Sequence, residues 1–227
     1  MIVSIIIPVL NEADRIEAAL EALAPLRERG CEVIVADGGS TDGTLALAAA
    51  GADRVLTAPR GRASQMNAGT RAACGDVLLF LHADTMLPDN ADRLVQDGLA
   101  RSGGTWGRFD VQFTNGALPL IAVAMNLRSR LTGIATGDQA IFVTRAAFET
   151  VGGFPAVALM EDIALSARLK RLSRPLCLAA RVTTSPRRWH TQGVVRTVLL
   201  MWRLRLAFFF GARPDTLARA YGYAPKH

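Results

Sequence analysis

The chain has 227 residues, half of them hydrophobic, which suffices for one well-packed domain and excludes a disordered protein. Three widely spaced cysteines, Cys31, Cys74 and Cys177, match neither a disulfide framework nor a zinc site, so we expect reduced, packed thiols in a cytosolic protein. The net charge of +6 is unevenly spread: residues 1–167 carry 13 Arg against 19 Asp and Glu, and residues 168–227 carry 13 Lys and Arg against Asp215 alone.

The first half of the chain alternates short apolar runs with helical patterns, which predicts a β-α-β-α order. Residues 2–10 lack the basic stretch and cleavage site of a secretory signal. Because Pro8 and charged residues follow the apolar run, we expect a buried strand there instead. A helix with Asn11 as its N-cap is expected to follow and to end at Gly30. Further strands are expected at 32–36, 54–57 and 77–81, the last buried on both faces of a parallel sheet, with helices at 45–50 and 62–73.

The second half is less regular, and it contains no repeat, low-complexity tract or linker. Helices are predicted at 91–100, 118–131 and 161–172, and strands at 105–113, 140–143 and 176–180. A single domain is therefore expected.

The segment 194–210 is strongly apolar but contains Arg196, Arg203 and Arg205. As a helix it spans roughly 25 Å, which is short of a bilayer core of about 30 Å. An interfacial helix with snorkelling arginines and a helix packed on the domain are the two alternatives.

The basic last quarter suits an anionic membrane or a phosphorylated substrate, with Arg-rich composition alone as the alternative. No aromatic-interleaved sheet, zinc spacing or recognition-helix pattern accompanies it, so nucleic acid is not an expected partner.

Polar side chains follow the predicted strands at the points where they end. Because carboxyl ends of parallel strands meet at one edge of a sheet, we expect Asn11, Glu12 and Asp37 to lie together, with Asp37 facing a ligand rather than the core. Carboxylates there suit ribose hydroxyls or the N–H of a base. Arg62 at a helix start suits a diphosphate, and Asp84 suits a divalent metal. For each residue the alternative is an ordinary helix cap.

Eight motifs resemble, in order and spacing, those of family 2 glycosyltransferases. They are Pro8-Val-Leu-Asn-Glu12, Asp37-Gly-Gly-Ser-Thr-Asp-Gly43, Gly61-Arg-Ala-Ser-Gln-Met-Asn-Ala-Gly69, Leu79-Phe-Leu-His-Ala-Asp84, Gly137-Asp-Gln139, Gly152-Gly-Phe154, Glu161-Asp162 and Arg187-Arg-Trp189. The resemblance covers about residues 1–190 and is strongest to short bacterial members without a fused transmembrane domain.

The resemblance implies a GT-A fold, an α/β architecture with a Rossmann-like, mostly parallel sheet flanked by helices. Residues 1–190 would form this domain, with a nucleotide-binding half over about 1–100 and an acceptor half over about 101–190. Residues 191–227 would form a basic helical extension packed on the domain or a membrane surface.

The implied reaction is an inverting transfer from a nucleoside-diphosphate sugar, assisted by Mn²⁺ or Mg²⁺. Uridine is the expected nucleoside of the donor, with guanosine as the alternative. The expected acceptor is a small molecule or a lipid phosphate. A cytoplasmic location at the inner face of the plasma membrane is expected.

The resemblance also assigns roles to single residues. Asp162 is the expected base, with Glu161 beside it, unless the acidic pair only favours the positive end of a helix. Asp84 would bind the metal. His82 stands where the family usually has another Asp, so His82 and His190 are candidate ligands, although a surface histidine is the alternative for His190.

The remaining expected contacts fall into two groups. Those on the nucleotide sugar are Pro8, Asn11, Glu12, Asp37, Gly38, Ser40, Arg62, Asn67, Ala83, Arg187, Arg188 and Trp189, of which the last three would close over phosphate and sugar. Those on the acceptor side are Gly137, Asp138 and Gln139.

Two other functions stay open. A non-catalytic module that binds sugar nucleotides or membranes is favoured by the missing first aspartate. A nucleotidyltransferase is less favoured, because Asn11-Glu12 occupies the place of its basic glycine-rich loop.

Overall fold

The computed structural model describes residues 1–116 and 118–222, without the side chains of Asn115, Arg188 and Gln192. The strands in this part of the chain are β1 (Val3–Val9), β2 (Glu32–Asp37), β3 (Arg54–Thr57), β4 (Val77–Phe80), β5 (Thr85–Met86), β6 (Trp106–Phe113), β7 (Phe142–Thr144) and β8 (Leu176–Thr184). They form one sheet in the order β3-β2-β1-β4-β7-β6-β8-β5.

The helices of the described residues flank this sheet or follow it. They are α1 (Ala13–Glu28), α2 (Thr44–Gly51), α3 (Arg62–Ala72), α4 (Ala91–Ser102), α5 (Pro119–Thr132), α6 (Arg145–Thr150), α7 (Glu161–Leu169), α8 (Arg187–Gln192), α9 (Val194–Phe209) and α10 (Pro214–Ala220).

The first four long strands of the sheet are parallel, as the alternating pattern predicts. In β1, Ile6 lies opposite Ile34 of β2 and Phe80 of β4. Strand β7 then joins β4 and β6 in antiparallel pairs, and β6 pairs with β8 in parallel. The carboxyl ends of β1, β2 and β4 therefore meet at one edge.

The period of two in the strands divides the core between the two faces of the sheet. Ile5 and Ile7 of β1 pack in the cluster that contains residues of α1 and α4. Ile6 points to the opposite face, into the cluster that contains residues of α3 and α7. Every residue of β4 is buried, as predicted for a strand covered on both faces.

A third cluster attaches the C-terminal helices to the domain. Leu204 of α9 and Leu217 of α10 are buried against Leu159 and Met160, the two residues before α7. None of the described helices is long and apolar enough to cross a membrane.

The structure differs from the sequence-based expectations in several places. Helix α1 has Glu12 rather than Asn11 at its N-cap, because Asn11 adopts a left-handed backbone conformation with φ of 53°. Strand β5 and helices α6, α8 and α10 were not predicted. All three cysteines are free, but Cys74 is exposed rather than packed.

Candidate active site

Asp37 ends β2 and organises the turn that follows it. One carboxylate oxygen accepts the N–H groups of Gly39 (2.8 Å) and Ser40 (2.9 Å), and the other accepts the Ser40 hydroxyl. The side chain is fully buried. The turn's own donors surround the carboxylate, so Asp37 holds this turn in place, and its contact with a nucleotide stays a prediction.

The loop after β1 is tied to this turn. The Asn11 N–H donates to Ser40 Oγ (2.8 Å), and Asn11 Oδ1 accepts the N–H of Thr41 (2.9 Å). The Glu12 N–H donates to Thr44 Oγ1 (2.9 Å), while its partly exposed carboxylate pairs with Arg15 at 2.6 Å. The predicted neighbours at these two strand ends are thus brought together, and they form one rigid platform.

Gln65 of α3 joins both strand ends, and its role was not predicted. Its side-chain amide donates to the carbonyl oxygens of Val9 (2.7 Å) and Ala36 (2.8 Å). A Cβ on Gly38 would lie 3.0 Å from the Gln65 side chain, so this close approach favours glycine there. Gln65 lies one helical turn after Gly61 within the quoted motif, which was the available signal.

Asn67 and Gln139 make hydrogen bonds within the protein that hold two loops. The Asn67 amide makes two hydrogen bonds with the backbone of Phe154, at 2.9 and 3.0 Å, and so holds the Gly152-Gly-Phe154 turn. Gln139 is fully buried, and its Oε1 accepts the N–H of Thr136 (3.2 Å). The predicted contacts of Asn67 with the donor and of Gln139 with the acceptor stay predictions.

Glu161 and Asp162 begin α7, as predicted. Asp162 Oδ2 accepts the N–H of Gly137 (2.9 Å), which fixes this carboxylate beside the predicted acceptor-side loop. Glu161 is buried. Burial, with the negative charge of Asp162, raises the pKa of Glu161, while Arg62 and His82 act in the opposite direction.

His82, at the end of β4, completes this group. Its ring packs on Gly137, where a Cβ would overlap the imidazole, and its Nδ1 lies 3.4 Å from the half-exposed carboxylate of Asp138. The polar side chains of His82, Glu161 and Asp162 line a small cavity together with Gly137 and the rings of Phe80 and Phe154.

Arg62 lies at the start of α3, at the solvent-accessible side of this group. Desolvation acts to lower the pKa of Arg62, but the negative charges of Glu161, Asp138 and Asp162 outweigh it and the net shift is upward. The nearby negative charges thus keep this guanidinium in its charged form.

The predicted set of metal ligands does not assemble. Across residues 1–116 and 118–222, no three His, Cys, Asp or Glu side chains converge on a point where they could hold a metal. Asp84 is exposed, His82 faces Asp138, and His190 is exposed on α8. A single carboxylate still suits a hard cation that takes its other ligands from phosphate oxygens and water.

The residues predicted to close over the phosphate and sugar, Arg187, Arg188 and Trp189, lie on α8. Trp189 packs edge-on against Phe113, with ring centroids 5.9 Å apart, so its indole has a protein partner rather than an open stacking face. Arg187 is exposed, and the side chain of Arg188 lies outside the described part of the chain. Pro8 and Ala83 are partly buried beside the strand ends.

The arrangement can be compared with known proteins. The sequence pattern of glycosyl transferase family 2 matches residues 4–122. The succinoglycan biosynthesis protein ExoA of Rhizobium meliloti (strain 1021) is 42% identical over 106 residues, which cover 42% of this chain and 32% of that protein. The chain spans about a third of the length of the curated relatives it matches.

Two solved structures share the fold. S. aureus TarS 1-349 in complex with UDP-GlcNAc superimposes with a TM-score of 0.68 at 19% identity, covering 82% of this chain and 58% of that one. The mannosyltransferase PcManGT from Pyrobaculum calidifontis, in complex with GDP-Man and Mn²⁺, gives 0.66 at 21%, covering 97% and 69%. These similarities confirm the expected GT-A fold.

Proposed function

Because this chain belongs to glycosyl transferase family 2, we propose that it is an inverting glycosyltransferase that moves a sugar from a nucleoside-diphosphate sugar to an acceptor hydroxyl. The observation that carries the proposal is the acidic pair at the start of α7, which adjoins the strand-end residue His82 and the accessible Arg62. A base, a cation and strand-end loops are what this reaction needs in one place.

In the proposed reaction, the acceptor hydroxyl oxygen forms a bond to the anomeric carbon as the bond from that carbon to the diphosphate breaks. The hydroxyl proton passes to the Asp162 carboxylate, and the nucleoside diphosphate leaves with the electron pair. Asp162 is oriented for this role by the Gly137 N–H, and Arg62 stabilises the charge that develops on the diphosphate.

The donor's nucleoside is proposed to rest on the platform formed by the loops after β1 and β2. Within it, Asp37 acts as a positioning residue for Ser40 and Asn11, since its own carboxylate is enclosed. Uridine is the proposed nucleoside of the donor, because a similar structure contains UDP-GlcNAc. Guanosine is the alternative, because another similar structure contains GDP-Man.

A divalent ion, Mn²⁺ or Mg²⁺, is proposed to bind Asp84 together with the donor's phosphate oxygens. When bound, it would neutralise the departing diphosphate. The similarity to a mannosyltransferase solved with Mn²⁺ supports this proposal.

The two halves of the domain are proposed to bind different substrates. Residues 1–100 bind the donor, and residues 101–190 bind the acceptor, a small molecule or a lipid phosphate. The extension from residue 191 makes peripheral contact with the inner face of the plasma membrane through α9. Exposed apolar residues along one side of α9 support this contact: Val195, Leu199, Trp202, Leu206 and Phe209.

The enzyme proposal is tested by a screen of nucleotide sugars, with donor hydrolysis and melting temperature as readouts. We expect one nucleoside diphosphate with Mn²⁺ to raise the melting temperature, and Asp84→Ala to remove the metal-dependent part. Asp162→Asn should keep the shift but lower turnover by about 10²–10⁴-fold, since the amide oxygen can accept one of the two N–H groups, of Gly137 and Ile163, that the carboxylate accepts, but binds no proton.

One control and two decisive outcomes complete this test. Asp89→Asn, which changes an exposed carboxylate outside the site, should leave both readouts unchanged. The absence of any nucleotide-dependent shift would refute the proposal. Nucleotide binding without hydrolysis or transfer would favour the non-catalytic module, the alternative suggested by His82 in place of the first aspartate.

A further inference from the structure

Arg128 of α5 is a partly buried arginine with unused hydrogen-bond donors. Its Nη1 donates to the Ile134 carbonyl oxygen (3.2 Å), whereas Nε and Nη2 are enclosed and have no partner among the described residues. These two nitrogens form one edge of the guanidinium, the edge that binds a carboxylate or phosphate through two parallel hydrogen bonds.

Other enclosed arginines of this fold are satisfied. Arg108 donates to Ser129 Oγ (3.1 Å), to the Asn126 carbonyl oxygen (3.1 Å) and to Asp110. An enclosed charge without such partners is unfavourable. The free edge of Arg128 therefore calls for an anion from outside the described chain.

A second unpaired polar group lies in the loop that Arg128 contacts. The Gln139 N–H faces the Thr136 side chain, but its hydrogen bond goes to the Thr136 carbonyl oxygen (2.9 Å), and Thr136 Oγ1 is left buried without a partner in the described chain. Thr136 directly precedes Gly137, whose N–H binds Asp162. Both unused donors thus belong to the surroundings of the proposed base.

The charges around Arg128 also favour a bound anion. Burial, together with repulsion by Arg205 of α9 and by Arg108, lowers the pKa of Arg128 to about 10, against the attraction of Asp162. Arg205 thus adds positive charge near Arg128. An anion bound at the free edge of Arg128 would offset this repulsion.

We propose that Arg128, Arg205 and Thr136 form a binding site for a phosphate or carboxylate group carried by the acceptor. The inference rests on the proposed function, because it uses Asp162 as the group that receives the acceptor's proton. It deepens that function by restricting the acceptor to anionic molecules whose hydroxyl reaches Asp162 when the anion is bound.

The donor's diphosphate is the competing occupant. Arg62, from the first half of the chain, already serves the donor in the proposed reaction, and it lies at the start of α3. Arg128 and Thr136 belong to the second half of the chain, and Thr136 directly precedes Gly137. The test separates the two occupants by filling the donor site first.

The experiment measures binding of inorganic phosphate and of glycerol 3-phosphate by calorimetry, with saturating nucleoside diphosphate and Mg²⁺ present. Arg128→Gln and Arg205→Gln should each weaken binding by on the order of tenfold. The controls are Arg130→Gln, on the same helix but paired with Asp110 at 2.6 Å, and Arg203→Gln, exposed on α9; both should bind like the wild type.

Folding is checked by melting temperature without ligand. Arg128→Gln should melt no lower than the wild type, because it removes an unpaired buried charge. A lower melting temperature with unchanged phosphate affinity would show that Arg128 is structural and would overturn the proposal.

Three further outcomes are decisive. No binding of either probe, or equal binding by Arg128→Gln, would overturn the site. Binding that disappears when the nucleoside diphosphate is added would assign the arginines to the donor. Failure of all nucleotides to bind, with Arg128-dependent phosphate binding intact, would refute the transferase proposal while leaving an anion site.

Vesicles distinguish the source of the anion. Phosphatidic acid and phosphatidylcholine vesicles are compared with glycerol 3-phosphate. Arg128-dependent binding of either phosphate supports the site and identifies its source, whereas vesicle binding that is the same in Arg128→Gln would overturn a lipid phosphate as occupant.

Discussion

Single residues at this site differ sharply in whether their polar groups are free. Asp37 and Asn67 have their hydrogen-bonding groups engaged by neighbouring backbone, whereas Arg128 retains an unused edge. The first two hold the loops in place, and only the third has capacity for a ligand. Residue type and motif membership alone do not make this distinction.

Glu161 gives a prediction on pH. Its pKa is raised by burial and by Asp162, against Arg62 and His82, so the folded protein holds this proton to higher pH than the unfolded chain. The contribution of this bound proton to the free energy of unfolding is fully present below the ordinary Glu pKa of 4.5. It is lost as the pH rises through the raised pKa of Glu161 in the folded protein. Glu161→Gln should therefore gain stability relative to the wild type as pH rises.

The measurement is the urea midpoint of both proteins at about pH 5 and about pH 8. Glu149→Gln, which changes an exposed carboxylate on α6, is the control and should follow the wild type. If the difference between Glu161→Gln and the wild type were the same at both pH values, the account of Glu161 would be wrong.

At the scale of elements, the parallel half of the sheet was predictable because β1, β2 and β4 are apolar runs of the length of buried strands. Strand β5 has two residues, and helices α6 and α8 have six each. Elements this short carry too little local signal, and tertiary packing stabilises them.

The candidate site was predictable in part for a similar reason. Motifs located the loops after β1, β2 and β4 and the acidic pair of α7. They did not locate Arg128, because an arginine on a helix has the same sequence signature whether it faces solvent or a buried loop. The metal ligands stay a prediction, because ligand geometry depends on loop positions that spacing does not specify.

Helix α9 gives a prediction at this scale. Leu204 is 2% exposed and packs with Leu159 and Met160 before α7, whereas Leu206 on the same helix is 59% exposed. Leu204→Ala should cost about 2–5 kcal/mol of unfolding free energy, against less than about 0.5 for Leu206→Ala.

Urea unfolding measures this difference, and hydrogen exchange should show faster opening of residues 194–220 in Leu204→Ala. Donor turnover by Leu204→Ala should also fall, because Leu159 and Met160, directly before Glu161, lose the side chain that packs on them. Equal effects of the two substitutions would contradict the packing of α9 on this segment.

At the scale of the whole molecule, charge and exposed apolar area coincide. The last quarter carries 13 Lys and Arg against one acidic residue. Its helix α9 exposes Leu199 (65%) and Trp202 (69%), and α5 exposes a second row at Leu120, Val123, Leu127 and Leu131. A basic surface with apolar side chains suits an anionic lipid surface.

The protein should therefore sediment with vesicles that contain phosphatidylglycerol and much less with phosphatidylcholine alone. Added salt should weaken the association, because it screens the arginines. The pair Leu199→Asp and Trp202→Asp should reduce it by roughly tenfold or more, at about 2 kcal/mol or more of lost apolar transfer. Leu172→Asp, exposed outside α9, is the control. No sedimentation even with anionic lipid would refute the membrane contact.

The packing of α9 and α10 on Leu159 and Met160 also has a consequence for biosynthesis. These helices leave the ribosome after every strand of the sheet, and at about 5–20 residues per second α10 follows Glu161 by roughly 3–10 s. During that interval the nascent chain holds its nucleotide platform but lacks the cover over the segment before its proposed base. Donor binding should thus precede transferase activity as the chain is made.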